Sequence, residues 1–154
     1  HARLADTLAA IFEEWDLQQL RYRAWTTLSG GEQQRVQLAR TALQLTLAEP
    51  DSPRLWLLDE PLAALDLPHQ AVALAAMKHA AAAGALVIAS VHDMNAALAI
   101  ASHVLVLGKG RVLWQGAVQA EPVREALGEA FALPLVWASW RDGETSGQWL
   151  VPRP

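Results

Sequence analysis

Two short stretches of this chain carry residue types able to do chemistry on a phosphate. In Leu28-Ser29-Gly30-Gly31-Glu32-Gln33-Gln34-Arg35-Val36, a serine and two glycines stand where a helix begins. Ser29 with Glu32 three positions on spells a capping box. Glycines behind the cap leave backbone amides uncovered at the positive end of the helix dipole, where an anion can dock closely, and phosphate is the natural guest. In Leu55-Trp56-Leu57-Leu58-Asp59-Glu60-Pro61 an apolar run ends abruptly in two carboxylates. Ligands of open α/β sheets sit beyond the carboxyl ends of strands. There Asp59 could hold Mg²⁺ through a water, and Glu60 could orient and polarise a water that attacks a terminal phosphate. Taken singly, each stretch also has a bland reading, an ordinary capped helix and a charged strand end facing solvent.

Asp66, in Ala63-Ala64-Leu65-Asp66, and His92, after the next apolar run, complete the set. A histidine at a strand exit can contact a γ-phosphate and sense whether it is present. Alone, Asp66 is as well explained as a helix cap, and His92 as a packed or solvent-facing histidine.

The elements that must position these residues follow from periodicity. Leu4, Leu8, Ile11, Phe12 and Trp15 recur at helical spacing, as core contacts would. Ser29 to Leu47 predicts a second helix with Val36, Ala39 and Leu43 on one face, and 48–54, with its prolines and acids, a surface loop. Leu55–Leu58 and Leu86–Val91 read as buried parallel strands. Between them lies a helix that Asp66 caps, Pro68 starts and Gly84 ends. A short helix over Asn95–Ala101 follows, then a hairpin from Val104 to Trp114 turning at Gly108-Lys109-Gly110-Arg111. A last helix over Val123–Phe131 precedes a second hairpin from Leu135 to Val151 that turns at Asp142-Gly143.

Composition narrows the possible functions. A chain of 154 residues supports one globular unit, and 53% hydrophobic against 18% charged residues is the balance of a folded protein. A net charge of −4 supplies no positive field for a polyanion, so nucleic acid is not an expected partner. The absence of cysteine removes disulfide and thiolate-metal chemistry. The apolar run 80–91 falls short of the roughly 20 residues of a membrane span and holds Gly84 and Ser90, so any membrane association is expected to be peripheral. A start at His1 without a leader suggests a piece of a longer product.

In order and spacing, the capped Ser-Gly-Gly helix, the strand ending in Asp-Glu-Pro, Leu65-Asp66 and Ser90-Val91-His92-Asp93 closely resemble the nucleotide-binding domains of ABC ATPases. The resemblance covers Leu28 to about Gly116 with specific motifs and the tail more loosely. It implies an α/β, P-loop NTPase-like fold of parallel strands flanked by helices, with C-terminal β-hairpins. The whole of 1–154 would be one partial domain: signature helix 28–47, Walker B strand to switch histidine 55–92, hairpin and tail 103–154, with the N-terminal phosphate-loop half absent. ATP and Mg²⁺ are the ligands implied. Ser29, Gly30 and Gly31, with Glu32, would act on ATP held by the opposite subunit. Asp59 would be the Walker B aspartate at the metal, Glu60 the catalytic glutamate, Asp66 the D-loop aspartate and His92 the switch histidine. The implied partners are a second ATPase subunit, in a homodimer, integral membrane permease subunits and, indirectly, a substrate-binding protein. The implied place is the cytoplasmic face of the inner membrane, bound peripherally.

Within the family, Arg40–Arg54 and Leu65-Asp66-Leu67-Pro68-His69-Gln70 look most like the ATPase subunits of haem importers, with cobalamin and iron-siderophore importer ATPases close behind. The function so implied is to energise uptake of haem or a related iron or cobalamin compound. One departure is serious. The pattern G-x-x-x-x-G-K-[S/T] occurs nowhere, and Gly108-Lys109 lacks both the earlier glycine and the following hydroxyl, so the isolated chain is expected to bind ATP weakly and hydrolyse almost none. Leu62 and Ala63 also depart from the threonine and small polar residue common in the family. Two other classes stay open. A repair or translation-associated ABC ATPase is disfavoured by the acidic charge and by the short signature-to-Walker B spacing. A non-catalytic module could lend its signature helix to a partner that has an intact phosphate loop.

Overall fold

The computed structural model describes residues 2–49, 52–118 and 122–154, with the backbone alone at Ala2 and Arg3. Of the expected loop 48–54, Pro50 and Asp51 lie outside the described residues, as does His1. The chain forms two compact units, residues 1–91 and 92–154.

In the first unit, α1 (Ala2–Glu14) leads through single 3₁₀ turns at Gln18–Leu20 and Trp25–Thr27 into α2 (Gly30–Thr46). Strand β1 (Leu55–Leu58), helix α3 (Leu67–Ala82) and strand β2 (Leu86–Ala89) follow. The two strands pair in parallel, Leu55 opposite Leu86 through Leu58 opposite Ala89, so their carboxyl ends lie together. A parallel pair needs a crossover, and α3 supplies it. Asp66 caps α3 with Pro68 in its first turn, and Gly84, at φ 88°, turns the chain out of it. Helix α2 meets α1, α3 and β1, and α3 packs on β2. The buried side chains include Trp15, Leu38, Ala39, Ala42, Trp56, Ala73 and Met77. The Trp56 indole N–H donates to Thr41 Oγ1 at 3.0 Å, which satisfies its polar atom inside the core.

Burial departs from expectation at three places. Leu4 and Leu8 are 47% and 39% exposed, so α1 packs through Ile11 and Trp15 at its C-terminal end, where it meets α2. On α2 the buried face is Leu38, Ala39 and Ala42, with Val36 and Leu43 half-buried at its margin. The strands are not covered on both sides: Trp56 is buried, but Leu55, Leu57, Leu86 and Ile88 are more than half exposed and form one apolar sheet face. Alternation explains it, because only one face of the strand pair lies against helices. Strand β2 also ends at Ala89, not Val91, because Ser90 leaves the ladder after donating its amide to Leu58 O.

In the second unit, α4 (Met94–Ile100) is capped by Asp93, whose Oδ1 accepts from the amides of Asn95 and Ala96. Strands β3 (His103–Gly108) and β4 (Arg111–Ala117) form an antiparallel hairpin. Its two-residue turn holds Lys109 at φ 52° and Gly110 at φ 73°, as a type I′ turn requires. Helix α5 (Pro122–Ala130) packs on this hairpin around Val106, Val123 and Ala126. Strands β5 (Leu135–Asp142) and β6 (Thr145–Pro152) make the second hairpin, turning at Gly143 and Glu144. Asn95 ties α4 to β6: its amide nitrogen donates to Leu150 O at 3.0 Å and its oxygen accepts from Leu150 N at 2.8 Å. Among the described residues, no helix is long and apolar enough to cross a membrane.

Trp15 is fully buried, and its indole nitrogen has no hydrogen-bond partner among the described residues. Trp15→Ala is expected to lower stability by about 3–5 kcal/mol. Trp15→Phe should cost clearly less, since it also removes an unsatisfied donor. Urea unfolding followed by far-UV circular dichroism measures both, and equal losses would contradict this packing.

Candidate functional site at the strand ends and the start of helix α2

Where β1 and β2 end together, one hydroxyl organises two acids. Ser90 Oγ donates to Asp59 Oδ1 at 2.6 Å and accepts the backbone N–H of Glu60 at 2.8 Å. The serine therefore fixes the Asp59 carboxylate and the backbone that aims Glu60. Glu60 has φ 46°, a left-handed conformation uncommon for a residue with a side chain. Its carbonyl is held from two sides, by the amide of Ala63 at 3.0 Å and by Gln34 Nε2 at 3.4 Å. Gln34 also donates to Pro61 O at 3.2 Å, so helix α2 grips the turn behind the acids. Both acids are exposed, whereas Pro61 and Leu62 beneath them are buried.

Ser29 caps α2 as expected. Its Oγ accepts from Glu32 N at 3.3 Å, while Glu32 Oε2 accepts from Ser29 N at 2.7 Å. The box engages the amides of Ser29 and Glu32, leaving those of Gly30 and Gly31 outside it. Glu32 Oε1 also takes Arg23 Nη1 at 2.8 Å, and the same arginine donates to Thr27 O at 2.5 Å. The hydrogen bond from the Ser29 backbone, aided by Arg23, holds the Glu32 carboxyl below its ordinary value. The two glycines differ. Ser29 and Gly30 are exposed, and a Cβ on Gly30 would have only Ala64 Cβ nearby at 3.9 Å. A Cβ on Gly31 would lie 2.7 Å from the carbonyl oxygen of Ala64. Gly31 therefore lets α2 close onto the loop after the acidic pair, a packing duty beyond the bare amide foreseen for it.

Asp66 caps α3 through Oδ1, accepting His69 N at 3.1 Å and approaching His69 Nδ1 at 2.5 Å. These bonds, the backbone one foremost, hold its carboxyl below the ordinary aspartate value. The fold thus gathers Ser29, Gly30, Gly31, Glu32, Asp59, Glu60 and Asp66 in one unit, with α2 joined to the acidic turn through Gln34 and through the Gly31–Ala64 approach. His92 is exposed and opens the second unit, three residues beyond the end of β2.

An exposed aspartate with one oxygen engaged by a hydroxyl is a hard donor that suits Mg²⁺ held through water. Among the described residues no three acids, histidines or cysteines gather as a cage. An ion at Asp59 would therefore complete its shell with water and phosphate oxygens, which is the usual habit of Mg²⁺.

Residues 3–63 match the ABC transporter family. The hemin import ATP-binding protein of Myxococcus xanthus is 41% identical over 139 residues, which make up 90% of this chain and 52% of that protein. The one from Gloeobacter violaceus is 50% identical over 97 residues, 63% of this chain and 35% of that protein. In three dimensions the chain superposes on a metal-chelate type ABC transporter, solved in an inward-facing conformation, with a TM-score of 0.76 and 28% identity over 97% of this chain and 57% of that one. Residues 3–63 thus belong to an ABC transporter family domain. A solved ATP-binding subunit of an ABC transporter shares the fold at a TM-score of 0.69 and 24% identity, over 84% of this chain and 50% of that one. The chain spans about half the length of the curated relatives it matches.

The motifs name the acids and glycines but not the residues that aim them: Ser90 enters only within two quoted runs, and Gln34, Arg35 and His69 carry no individual role there. The capping pattern gives no sign of Gln34, because its partners lie 26 and 27 residues away in the chain. Gln70, quoted only as part of a family resemblance, donates its side chain to Leu65 O at 3.1 Å and steadies the loop before α3.

Gly31→Ala is expected to cost about 1–3 kcal/mol, because backbone must move to admit the methyl group. Gly30→Ala, in open space, should be neutral or stabilising by up to about 1 kcal/mol through helix propensity. Thermal unfolding of the pair measures the difference. The depressed Glu32 carboxyl stabilises the fold above the ordinary glutamate value of about 4.3, and that contribution is lost as pH falls through its lower folded value. Stability against pH from 6 down to about 2 should show this acid step. Glu32→Gln should shrink it, leaving the part that the depressed Asp66 carboxyl contributes, and an unchanged profile in the variant would remove Glu32 as a source.

Proposed function

We propose that this chain is the signature and Walker B part of the ATP-binding subunit of an ABC importer, which energises uptake of haem or a related iron or cobalamin compound. The observation that carries the proposal is the serine-bridged pair Asp59 and Glu60 at the joined strand ends, with the open, capped start of α2 fastened to the same turn. The substrate class leans on the hemin import ATP-binding proteins to which the chain is similar.

In this reading Ser29 and the amides of Gly30 and Gly31 receive the terminal phosphate of ATP held by a second ATPase subunit. Glu32 supports them through the cap. Asp59 would hold Mg²⁺, and the ion would supply charge stabilisation to the phosphate. Glu60 orients a water and takes its proton as the water oxygen attacks the γ-phosphorus. The bond to the bridging oxygen breaks and ADP leaves. His92 contacts the γ-phosphate, and Asp66 belongs to the loop at the subunit junction. Membrane permease subunits receive the work, a substrate-binding protein delivers the cargo, and the assembly sits at the cytoplasmic face of the membrane. Without a G-x-x-x-x-G-K-[S/T] loop, the chain needs a segment that supplies one before it can hold ATP firmly.

Joined to or mixed with such a segment, the protein should bind and hydrolyse ATP. Glu60→Gln should then keep nucleotide binding and lose about 10²- to 10⁴-fold in turnover. Phosphate release and equilibrium binding of a labelled nucleotide measure the two separately, and normal hydrolysis by the variant would end the assignment of the base.

A further inference from the structure

Away from the strand ends, the densest polar cluster in the first unit lies where the end of α1, the middle of α2 and the start of α3 come together. Arg35 Nη1 stands 3.1 Å from Trp15 O, 2.8 Å from Asp16 O, 3.1 Å from Asp16 Oδ2 and 3.0 Å from His69 Nε2. A guanidinium can only donate, so His69 Nε2 must offer its lone pair, and the one proton of a neutral imidazole then sits on Nδ1. Nδ1 lies 2.5 Å from Asp66 Oδ1, so that proton points into the carboxylate. The arrangement is sheltered on one side only: the Arg35 and His69 side chains are 12% and 21% exposed, and Asp16 and Asp66 are 72% and 64% exposed.

We propose that Arg35, His69 and Asp66 form a directed hydrogen-bond chain, guanidinium to neutral imidazole to carboxylate, in which His69 is the positioning residue that fastens Asp66 to helix α2. Asp66 could cap α3 through the His69 amide alone. The ring adds a second bond to the same oxygen and anchors its far edge on the helix whose start carries Ser29 and the two glycines. Its bearing on nucleotide handling rests on the functional reading above; the chain of bonds rests on its distances.

The link works with one protonation state. The charged groups facing the ring are Arg35 from α2, Asp16 from the end of α1 and Asp66 from the cap of its own helix. A second proton, on Nε2, would meet the guanidinium, while Asp16 Oδ2 stands 4.0 Å from that nitrogen, close enough to favour the charge but too far for a hydrogen bond. Protonation therefore breaks the Nε2 bond to Arg35. The Nδ1 bond to Asp66 survives, and the tie to α2 is lost.

Long-range ¹H–¹⁵N NMR of the 154-residue protein tests this without nucleotide, so a failure of ATP binding or turnover leaves the result intact. At pH 8, His69 should show a protonated Nδ1 and a bare Nε2. A ring protonated on Nε2, or an averaged mixture, overturns the proposal whether or not any variant folds. Two substitutions divide the roles. His69→Asn keeps a donor near the place of Nδ1 and loses the reach to Arg35, whereas His69→Gln reaches Arg35 with its oxygen and leaves Asp66 with the amide alone. The Asp66 carboxyl should titrate as low in the Asn variant as in the parent, and in the Gln variant should rise part of the way toward the ordinary value of about 3.9. Exchange of the Arg35 guanidinium protons should stay as slow in the Gln variant as in the parent and quicken in the Asn variant, where only Trp15 O and the Asp16 oxygens still accept from it. Identical behaviour of the two would reduce His69 to a space-filler and sink the idea.

Discussion

The site depends on two parallel strands ending side by side with a single serine hydroxyl between them. That hydroxyl has one proton to give and lone pairs to receive, and the fold uses both capacities: Asp59 takes the proton and the Glu60 amide fills a lone pair. The consequence is that one atom fixes both the Asp59 carboxylate and the backbone that carries Glu60. Glu60 is left in a left-handed backbone conformation that costs on the order of 1–3 kcal/mol. The bonds from Ser90, Ala63 and Gln34 around it offset that cost. Strain of this kind persists only where surrounding structure over-determines it, and here it aims a carboxylate out of the strand end.

Helix α2 is the second fixed body, and its glycines answer to two demands. Gly30 stands in open space at the helix start, where the absence of a side chain keeps an amide accessible. Gly31 is spoken for by the Ala64 carbonyl, which would lie inside contact distance of any Cβ. The same close approach lets Gln34 reach the carbonyls of Glu60 and Pro61. The capped start of the helix and the acidic turn are thus parts of one packed object.

The first unit also shows an apolar sheet face, made by Leu55, Leu57, Leu86 and Ile88, that its own helices leave exposed. Parallel strands in α/β proteins are ordinarily covered on both faces, and the sequence of these strands is apolar at every position as such burial demands. The curated relatives have about twice the length that this chain spans. The strands are written for a sheet with more cover than the described residues of this unit provide.

How much of this was legible beforehand follows from the range of each interaction. The capping box at Ser29 and Glu32, the Asp66 cap with Pro68, the Lys109-Gly110 turn and the apolar runs of both strands are set by residues within a few positions of one another, so the amino-acid string alone specifies them. It also placed the two acids at a strand exit, because an apolar run that stops in charge can hardly do otherwise. Tertiary structure decided what the string could not encode locally. It assigned Gln34 and Ser90 to the acidic turn across 26 to 31 residues, made Gly31 a packing glycine, joined His69 to Arg35, and exposed leucines that periodicity had put inside. Those outcomes depend on which surfaces meet when the strands pair, and side-chain spacing along one helix or strand carries no record of what lies across from it.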